Sequence, residues 1–323
     1  MKRSRFSNYA WGVLVYNLIV ILWGAYVRAS GSGAGCGSHW PLCNGVVIPP
    51  APQVATLIEF THRLTSGLSF ISILFLLIWA WRVYPKGSLV RVGAVLSMTF
   101  ILTEALIGAG LVLFSWVAND ASINRAIAIS FHLLNTFLLL ASITLTAWWG
   151  SGGKPLQFSG QGWVLWGLAL GWLGLMLLGV SGALTALGDT LFPVTTLAEG
   201  IRQDFTPTAS FLIRLRLFHP FIAMTVGTYI GILVIALGLS QADSQVKQFG
   251  LLLVCLFVLQ ICAGILNVYL LAPIWLQLVH LFLADSAWIV LVLFSATMLT
   301  PQKASNRIKG TPKFTSSTVS SSQ

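Results

Sequence analysis

The chain has 323 residues, of which 56% are hydrophobic and only 8% are charged. Soluble globular domains carry about 25% charged residues, so this composition excludes a protein with an ordinary water-facing surface. The formal net charge of +10 could indicate nucleic acid binding, but the basic residues are distributed as in a membrane protein.

Eight apolar stretches lie along the chain, at roughly 10–27, 57–81, 90–114, 126–149, 162–184, 211–238, 249–271 and 274–299. A helix of about 20 apolar residues spans a bilayer, and it satisfies its own backbone in hydrocarbon. The sequence therefore predicts an all-α integral membrane protein with eight transmembrane helices. Residues 301–323 are rich in Ser, Thr and Lys and are predicted to form a disordered cytoplasmic tail.

The basic residues are concentrated on one side of this predicted topology. Twelve of them flank the first and last spans or lie in the connections after spans 2, 4 and 6: Lys2, Arg3, Arg5, Arg82, Lys86, Arg91, Lys154, Lys247, Lys303, Arg307, Lys309 and Lys313. The positive-inside rule assigns this side to the cytoplasm. We therefore expect a multi-pass protein of the cell membrane with both termini in the cytoplasm. We therefore expect the protein to contact membrane lipid and not to bind nucleic acid.

The two halves of the chain resemble each other. The corresponding motifs are Glu59-Phe-Thr-His62-Arg63 with Arg216-Leu-Phe-His219-Pro220, Glu104-x-x-x-Gly108 with Gln260-x-x-x-Gly264, His132 with His280, and, more weakly, Gly24-Ala25 with Gly182-Ala183. Such a repeat predicts two pseudo-symmetric four-helix bundles, 1–150 and 151–300. An even number of helices in each repeat preserves the topology, so the axis that relates them lies along the membrane normal.

Four of the five histidines lie inside predicted spans, at a similar depth near the outer face: His62, His132, His219 and His280. Ionisable residues at membrane depth usually face the bundle interior for a functional reason. Each half supplies two imidazoles from two helices, as bis-histidine ligation of one haem iron requires. The alternatives are histidines hydrogen-bonded between helices and a zinc or copper site, which would normally add other ligands. The pattern favours haem.

The charged neighbours of these histidines differ between the halves. Glu59 lies three residues before His62, whereas Arg216 stands at the equivalent place in the second half. We predict a catalytic role for Glu59, in proton transfer or in stabilising positive charge; the alternative is an ion pair with Arg63. Arg63, Arg214 and Arg216 are predicted to bind haem propionates, the alternative for the last two being contact with lipid headgroups.

Other acidic residues receive simpler interpretations. Glu104, deep in span 3, is predicted to be a protonated acid that hydrogen-bonds between helices. Asp285 lies about 140° round the helix from His280 and receives no role. Asp189 and Asp204 are interpreted as isolated acids.

The first outer loop contains two cysteines seven positions apart, Cys36 and Cys43. On the oxidising side of the membrane this spacing predicts a short disulfide. A zinc site that includes His39 is a weaker alternative. Cys255 and Cys262 are too far apart along one helix to bond, and we interpret them as apolar packing residues.

Together, the Glu59–Arg63 motif, the Cys36–Cys43 loop and the four membrane histidines resemble the haem A synthase family over all eight spans. The resemblance implies an oxidoreductase that converts the C8 methyl group of haem O to a formyl group by two hydroxylations, giving haem A for haem-copper terminal oxidases. It also implies that the disulfide orders the outer loop or takes part in redox chemistry. Implied partners are haem O synthase, terminal oxidase subunits and an electron acceptor or donor.

The same resemblance implies a division of labour between the halves. His62 and His132 flank the substrate, haem O, while His219 and His280 ligate a resident haem B that passes electrons. Glu59 assists the reaction. Because a substrate haem must enter and leave, we expect at least one of His62 and His132 to bind reversibly.

Two other functions are compatible with parts of the pattern. One is a dihaem b-type electron carrier linked to quinone, which would hold two equivalent haems and form no product. The other is the prenyltransferase that makes haem O, which uses Mg²⁺ held by paired aspartates; no Asp-rich motif occurs in the sequence.

Overall fold

A computed structural model describes residues 4–238 and 243–300. In this part of the chain the secondary structure is helical apart from one isolated bridge between Cys43 and Val46. The helices are α1 (Arg5–Ala29), α2 (Val54–Val83), α3 (Leu89–Leu113), α4 (Ile123–Gly150), α5 (Trp163–Leu191), α6 (Leu197–Asp204), α7 (Phe211–Arg216), α8 (Phe218–Gly238), α9 (Ser244–Tyr269) and α10 (Ile274–Met298). The predicted all-α class is confirmed.

Eight of the described segments are long and apolar enough to span a membrane, with α7 and α8 together forming the sixth. Large apolar side chains such as Ile71, Leu106 and Ile232 are exposed on their outward faces, as expected where lipid rather than water is the neighbour. The protein is therefore a multi-pass membrane protein. The predicted tail at 301–323 lies outside the described residues, and the orientation in the membrane stays a prediction.

Polar residues mark where several of these helices begin. The side chains of Ser4, Ser88, Ser122 and Asp243 each accept a backbone N–H from the first turn of the helix that follows. Ser4 and Ser7 bond reciprocally at the start of α1. Such caps satisfy N–H groups that have no partner within the helix.

The sixth predicted span is not one continuous helix. It is divided at Leu217 into the short α7 and the long α8, which carries His219. Pro220 explains the interruption: it lacks a backbone N–H, and its ring clashes with the carbonyl group four residues earlier, in Arg216. The break lies beside the histidine, where the first half has an unbroken α2.

The helices α4 and α10 lie at the centre and are the most buried of the eight spans. The Trp288 ring stacks on Phe137 with ring centroids 4.8 Å apart, and its Nε1 donates to the Phe137 carbonyl at 2.7 Å. We call this contact between α4 and α10 the central wall. Because lipid is as apolar as the side chains, helix association in a membrane depends on such close packing and on polar contacts.

Helix contacts are repeated in the two halves. In the first, α1 contacts α2 and α4, and α3 contacts α2 and α4; in the second, α5 contacts α8 and α10, and α9 contacts α8 and α10. Polar pairs join neighbouring helices, including Ser69 with Asn17 at 2.7 Å and Ser97 with Ser142 at 3.1 Å. The predicted pair of four-helix bundles and its division at 150 and 151 stay predictions.

Candidate functional site

In the first half, His62 extends from α2 and His132 from α4, and both are half-buried. Nδ1 of His132 lies 2.7 Å from Oε1 of Glu104 on α3. Glu104 also accepts hydrogen bonds from Thr136 and Asn135, each at 2.5 Å. Because a carboxylate accepts, Nδ1 of His132 carries the proton and Nε2 presents its lone pair. The predicted interhelical bonding of Glu104 is present, and its contact with His132 was missed. Three donors meet its two oxygens, which fits a carboxylate better than the predicted protonated acid.

In the second half, His219 on α8 and His280 on α10 have ring centroids 6.4 Å apart and planes 78° apart. Nδ1 of His219 lies 2.8 Å from the Ser181 hydroxyl, which itself donates to the Leu178 carbonyl. In the tautomer in which Nδ1 of His219 donates to Ser181, Nε2 of His219 is free to bind a metal. Nδ1 of His280 is buried without a partner.

Each of the four histidines faces a glycine on a neighbouring helix. A Cβ atom added to the glycine would lie 2.8 to 4.0 Å from the nearest atom of the ring. The pairs are Gly24 with His62, Gly108 with His132, Gly182 with His219, and Gly264 with His280. Sequence comparison of the halves identified these glycines, but not that their missing side chains make room for the imidazoles.

The Cys36–Cys43 disulfide is present, as predicted, and no thiolate remains in the loop for zinc. Glu59, which is 4% exposed, joins this loop to α2. Its Oε2 accepts the Cys36 N–H at 2.9 Å, and its Oε1 accepts from Arg63 at 2.5 Å. Arg63 in turn donates to the carbonyl groups of His39 and Leu42, both at 2.6 Å.

This arrangement, which we call the loop clamp, consists of Glu59, Arg63 and the disulfide loop. Its two α2 side chains flank His62, with Glu59 three residues before it and Arg63 directly after it. The Glu59–Arg63 ion pair that the spacing offered as an alternative is therefore formed. The predicted catalytic role of Glu59 and the propionate role of Arg63 stay predictions, and both side chains already have protein partners.

A family model described as cytochrome oxidase assembly protein (COX15-CtaA) matches residues 7–292 of the chain. The match includes both histidine pairs, their glycines and the loop clamp. The chain belongs to this family.

Proteins similar to this chain have been given two different names. A Thermus thermophilus protein named protoheme IX farnesyltransferase is 53% identical over 299 residues, covering 92% of this chain and 49% of its own length. Proteins named haem A synthase from Halalkalibacterium halodurans and Lysinibacillus sphaericus are each 39% identical, covering 43% and 44% of this chain and 44% and 46% of their own lengths. The chain spans about half the length of the curated relatives it matches.

The arginines of the second half are engaged with protein groups. Arg216 forms ion pairs with Asp189, at 3.2 Å, and with Asp204. Interpreting these two acids as isolated was wrong, because the segment between α5 and α7 folds back and brings both to one guanidinium. Arg214 donates to the Pro207 carbonyl. Their propionate contacts stay predictions.

Sequence reasoning also missed a half-buried arginine that joins the halves. Arg28, at the end of α1, donates to the Ala186 carbonyl and to Thr190 on α5, both at 2.7 Å, and to Gln277 on α10 at 3.1 Å. Its position directly at the exit of the first span was the available signal. A guanidinium with several donors suits this bridging between three helices.

The remaining cysteines and the acid Asp285 can also be compared with their predicted roles. Cys255 and Cys262 are exposed on α9, so interpreting them as packing residues was wrong; they lie on the face that no described helix covers. Asp285 is fully buried, and neither carboxyl oxygen has a hydrogen-bond partner among the described residues.

Proposed function

We propose that this protein is a haem A synthase, which oxidises the C8 methyl group of haem O to a formyl group by two successive hydroxylations. The observation that carries the proposal is the repeated histidine pair, with one Nδ1 in each pair anchored by a neighbouring helix. Membership of the cytochrome oxidase assembly family and the names of several relatives support it.

The residues present fit a haem. Two imidazoles that bind one iron from opposite sides, each with a nitrogen about 2 Å from the metal, have ring centres about 6 Å apart. The 6.4 Å separation of His219 and His280 agrees with that value. The glycines opposite the rings also keep the neighbouring helices free of side chains that would fill the space beside each ligand. We therefore assign a resident haem B to the second half.

In the first half we assign His62 and His132 to the substrate, haem O. A bound haem supplies the iron chemistry that electron exchange and hydroxylation require. The chain's own residues hold and enclose it: Glu104 orients His132, and the loop clamp closes the end of α2 next to His62. We retain Glu59 as the candidate catalytic residue, because it is a buried acid on the same helix as a substrate ligand.

The two halves are suited to different tasks. The anchored histidine of the first half faces a carboxylate, Glu104, whereas that of the second half faces the neutral hydroxyl of Ser181. A carboxylate makes an imidazole a more basic ligand than a hydroxyl does. Two equivalent haem sites, which a dihaem electron carrier would have, would not need this difference.

Farnesyl transfer, the activity named for the Thermus relatives, is a weaker proposal for this chain. The match covers 49% of the Thermus thermophilus protein, so the named activity can belong to the remainder. Within 4–238 and 243–300, no group of three or more His, Cys, Asp or Glu side chains is placed to hold a metal. Asp189 and Asp204, the nearest to a pair of aspartates, are both bound to Arg216.

The proposal includes an orientation and partners. We place the histidines and the disulfide loop toward the outer face of the cell membrane and both termini in the cytoplasm. Haem O and haem A are substrate and product. A haem O synthase, terminal oxidase subunits and an electron acceptor or donor are the expected partners.

The test is expression of the full chain together with a haem O-producing enzyme, followed by extraction and chromatography of membrane haems. We expect haem A, and we expect His219→Ala to lose the resident haem B while His39→Ala, at the exposed loop histidine, retains it. The assignment is wrong if only haem O and haem B ever appear. Expression without the haem O-producing enzyme is the second arm, in which new haem O would support farnesyl transfer.

A further inference from the structure

We propose that Glu104 is a positioning residue that makes His132 the firmly held ligand of the first site, so that His62 is the ligand that releases. The inference rests on the proposed function, because it concerns how a substrate haem is held and exchanged. It distinguishes two histidines that look alike in the sequence.

The carboxylate of Glu104 is held rigidly between α3 and α4. It accepts from three α4 side chains: His132 at 2.7 Å, and Asn135 and Thr136 each at 2.5 Å. These residues are spaced i, i+3 and i+4, so they share one helix face. Asn135 is itself fixed by the Phe100 carbonyl at 2.8 Å. The orientation of the His132 ring is therefore determined by a connected set of bonds.

His62 has no comparable support. Its Nδ1 is buried without a hydrogen-bond partner in the described structure, and its ring rests against the backbone at Gly24. A hydrogen bond from the second ring nitrogen fixes the tautomer and raises ligand basicity, and removing such a partner typically costs about 10- to 100-fold in metal affinity. Of the two candidate ligands, His132 therefore binds more tightly.

The second half has no acid at the equivalent place. Gln260 corresponds to Glu104, yet its Oε1 is buried without a partner, as is Nδ1 of His280. The anchored ligand there is His219, on the helix equivalent to that of His62. The firmly held ligand thus changes helix between the halves, and only the first is supported by a carboxylate. A more basic ligand stabilises oxidised iron, so we expect the first site to have the lower reduction potential.

The experiment uses the full-length chain carrying His219→Ala and His280→Ala, so that added haem B reports on the first site alone. In this background Glu104→Gln should weaken haem B binding about 10- to 100-fold and raise the midpoint potential, both followed by absorbance. Glu104→Asp, which keeps a carboxylate, should recover part of the lost haem B affinity and part of the change in midpoint potential. Adding His132→Ala should abolish binding, whereas adding His62→Ala should leave one haem bound with a changed spectrum.

Several results would overturn the inference: no haem B binding in the background chain, an unchanged affinity and potential in Glu104→Gln, or loss of haem with His62→Ala but not with His132→Ala. The reciprocal Gln260→Glu, made in the otherwise unaltered chain, is the matched control. It should lower the potential of the second site. If the chain forms no haem A but these binding results hold, the proposed function fails and the ligand assignment stands. If the chain forms haem A but Glu104→Gln binds haem B unchanged, the proposed function stands and the role of Glu104 fails.

Discussion

Replacing the glycines that face the histidines by alanine should impair haem binding in proportion to how closely the new methyl group approaches the ring. At Gly24 the added Cβ would lie 2.8 Å from Cε1 of His62, whereas ordinary contact begins at 3.4 Å. The ring must therefore move by about 0.6 Å, more than the roughly 0.5 Å within which a functional side chain has to be held. At Gly108 the Cβ would lie 4.0 Å from His132, so no movement is required.

The effect on folding should be smaller than the effect on the ligand. Overpacking costs about 1–3 kcal/mol, and alanine gains about 1 kcal/mol over glycine in a helix interior. Gly24→Ala should then destabilise the fold by about 0–2 kcal/mol, while displacement of the His62 ring should weaken haem binding at the first site and change its spectrum. Gly12→Ala on the same helix, where nothing lies within 4 Å, is the matched control and should leave haem binding unchanged.

The assay is haem content per purified chain, measured by absorbance after titration with haem B, beside thermal unfolding in detergent. In the second half the same reasoning ranks Gly182→Ala, with a 3.1 Å approach, above Gly264→Ala, with 3.3 Å. Equal haem binding by Gly24→Ala and Gly108→Ala would refute the idea that these glycines make room for the ligands.

Three further predictions follow from other contacts. Glu59→Ala should keep the resident haem B but accumulate haem O or a hydroxylated intermediate, as seen by chromatography of extracted haems; an unchanged haem A yield would rule out its proposed role. Arg28→Ala should lower the free energy of unfolding by about 2 kcal/mol, because it removes hydrogen bonds from a charged donor. The exposed Arg202→Ala is its control in thermal unfolding, and equal midpoints would contradict the bridging role of Arg28. Asp285→Asn should bind haem normally and unfold at the same or a higher temperature, since an unpartnered buried carboxyl stabilises nothing; a lower midpoint would show that the acid has a partner.

Much of the architecture was predictable because hydrocarbon imposes strict requirements. Long apolar stretches predicted the eight spans, and the repeated positions of His62 and His219 predicted corresponding sites. The interruption of the sixth span was missed, although Pro220 was a sufficient signal, because hydropathy alone does not detect a break between two apolar segments.

Contacts between elements were harder to predict, since helix rotation and tilt decide which faces meet. Glu104 was known to lie inside α3, but its approach to His132 depends on how α3 packs on α4. The i+3 and i+4 donors Asn135 and Thr136, beside the histidine on α4, were the available sign that this face receives an acid. The convergence of Asp189 on Arg216 depended on a connection whose path the sequence does not specify.

The central wall has a consequence for how the two sites communicate. One proposed ligand of each site lies on a helix of the wall, His132 on α4 and His280 on α10, and the stacked Phe137 and Trp288 join these two helices. We expect that filling one site would order its helix and, through the stacked contact, the other helix, which would reduce the entropy lost on filling the second site. Such linkage is reciprocal: a chain that holds its resident cofactor should bind the exchangeable one more tightly, and departure of either should loosen the other.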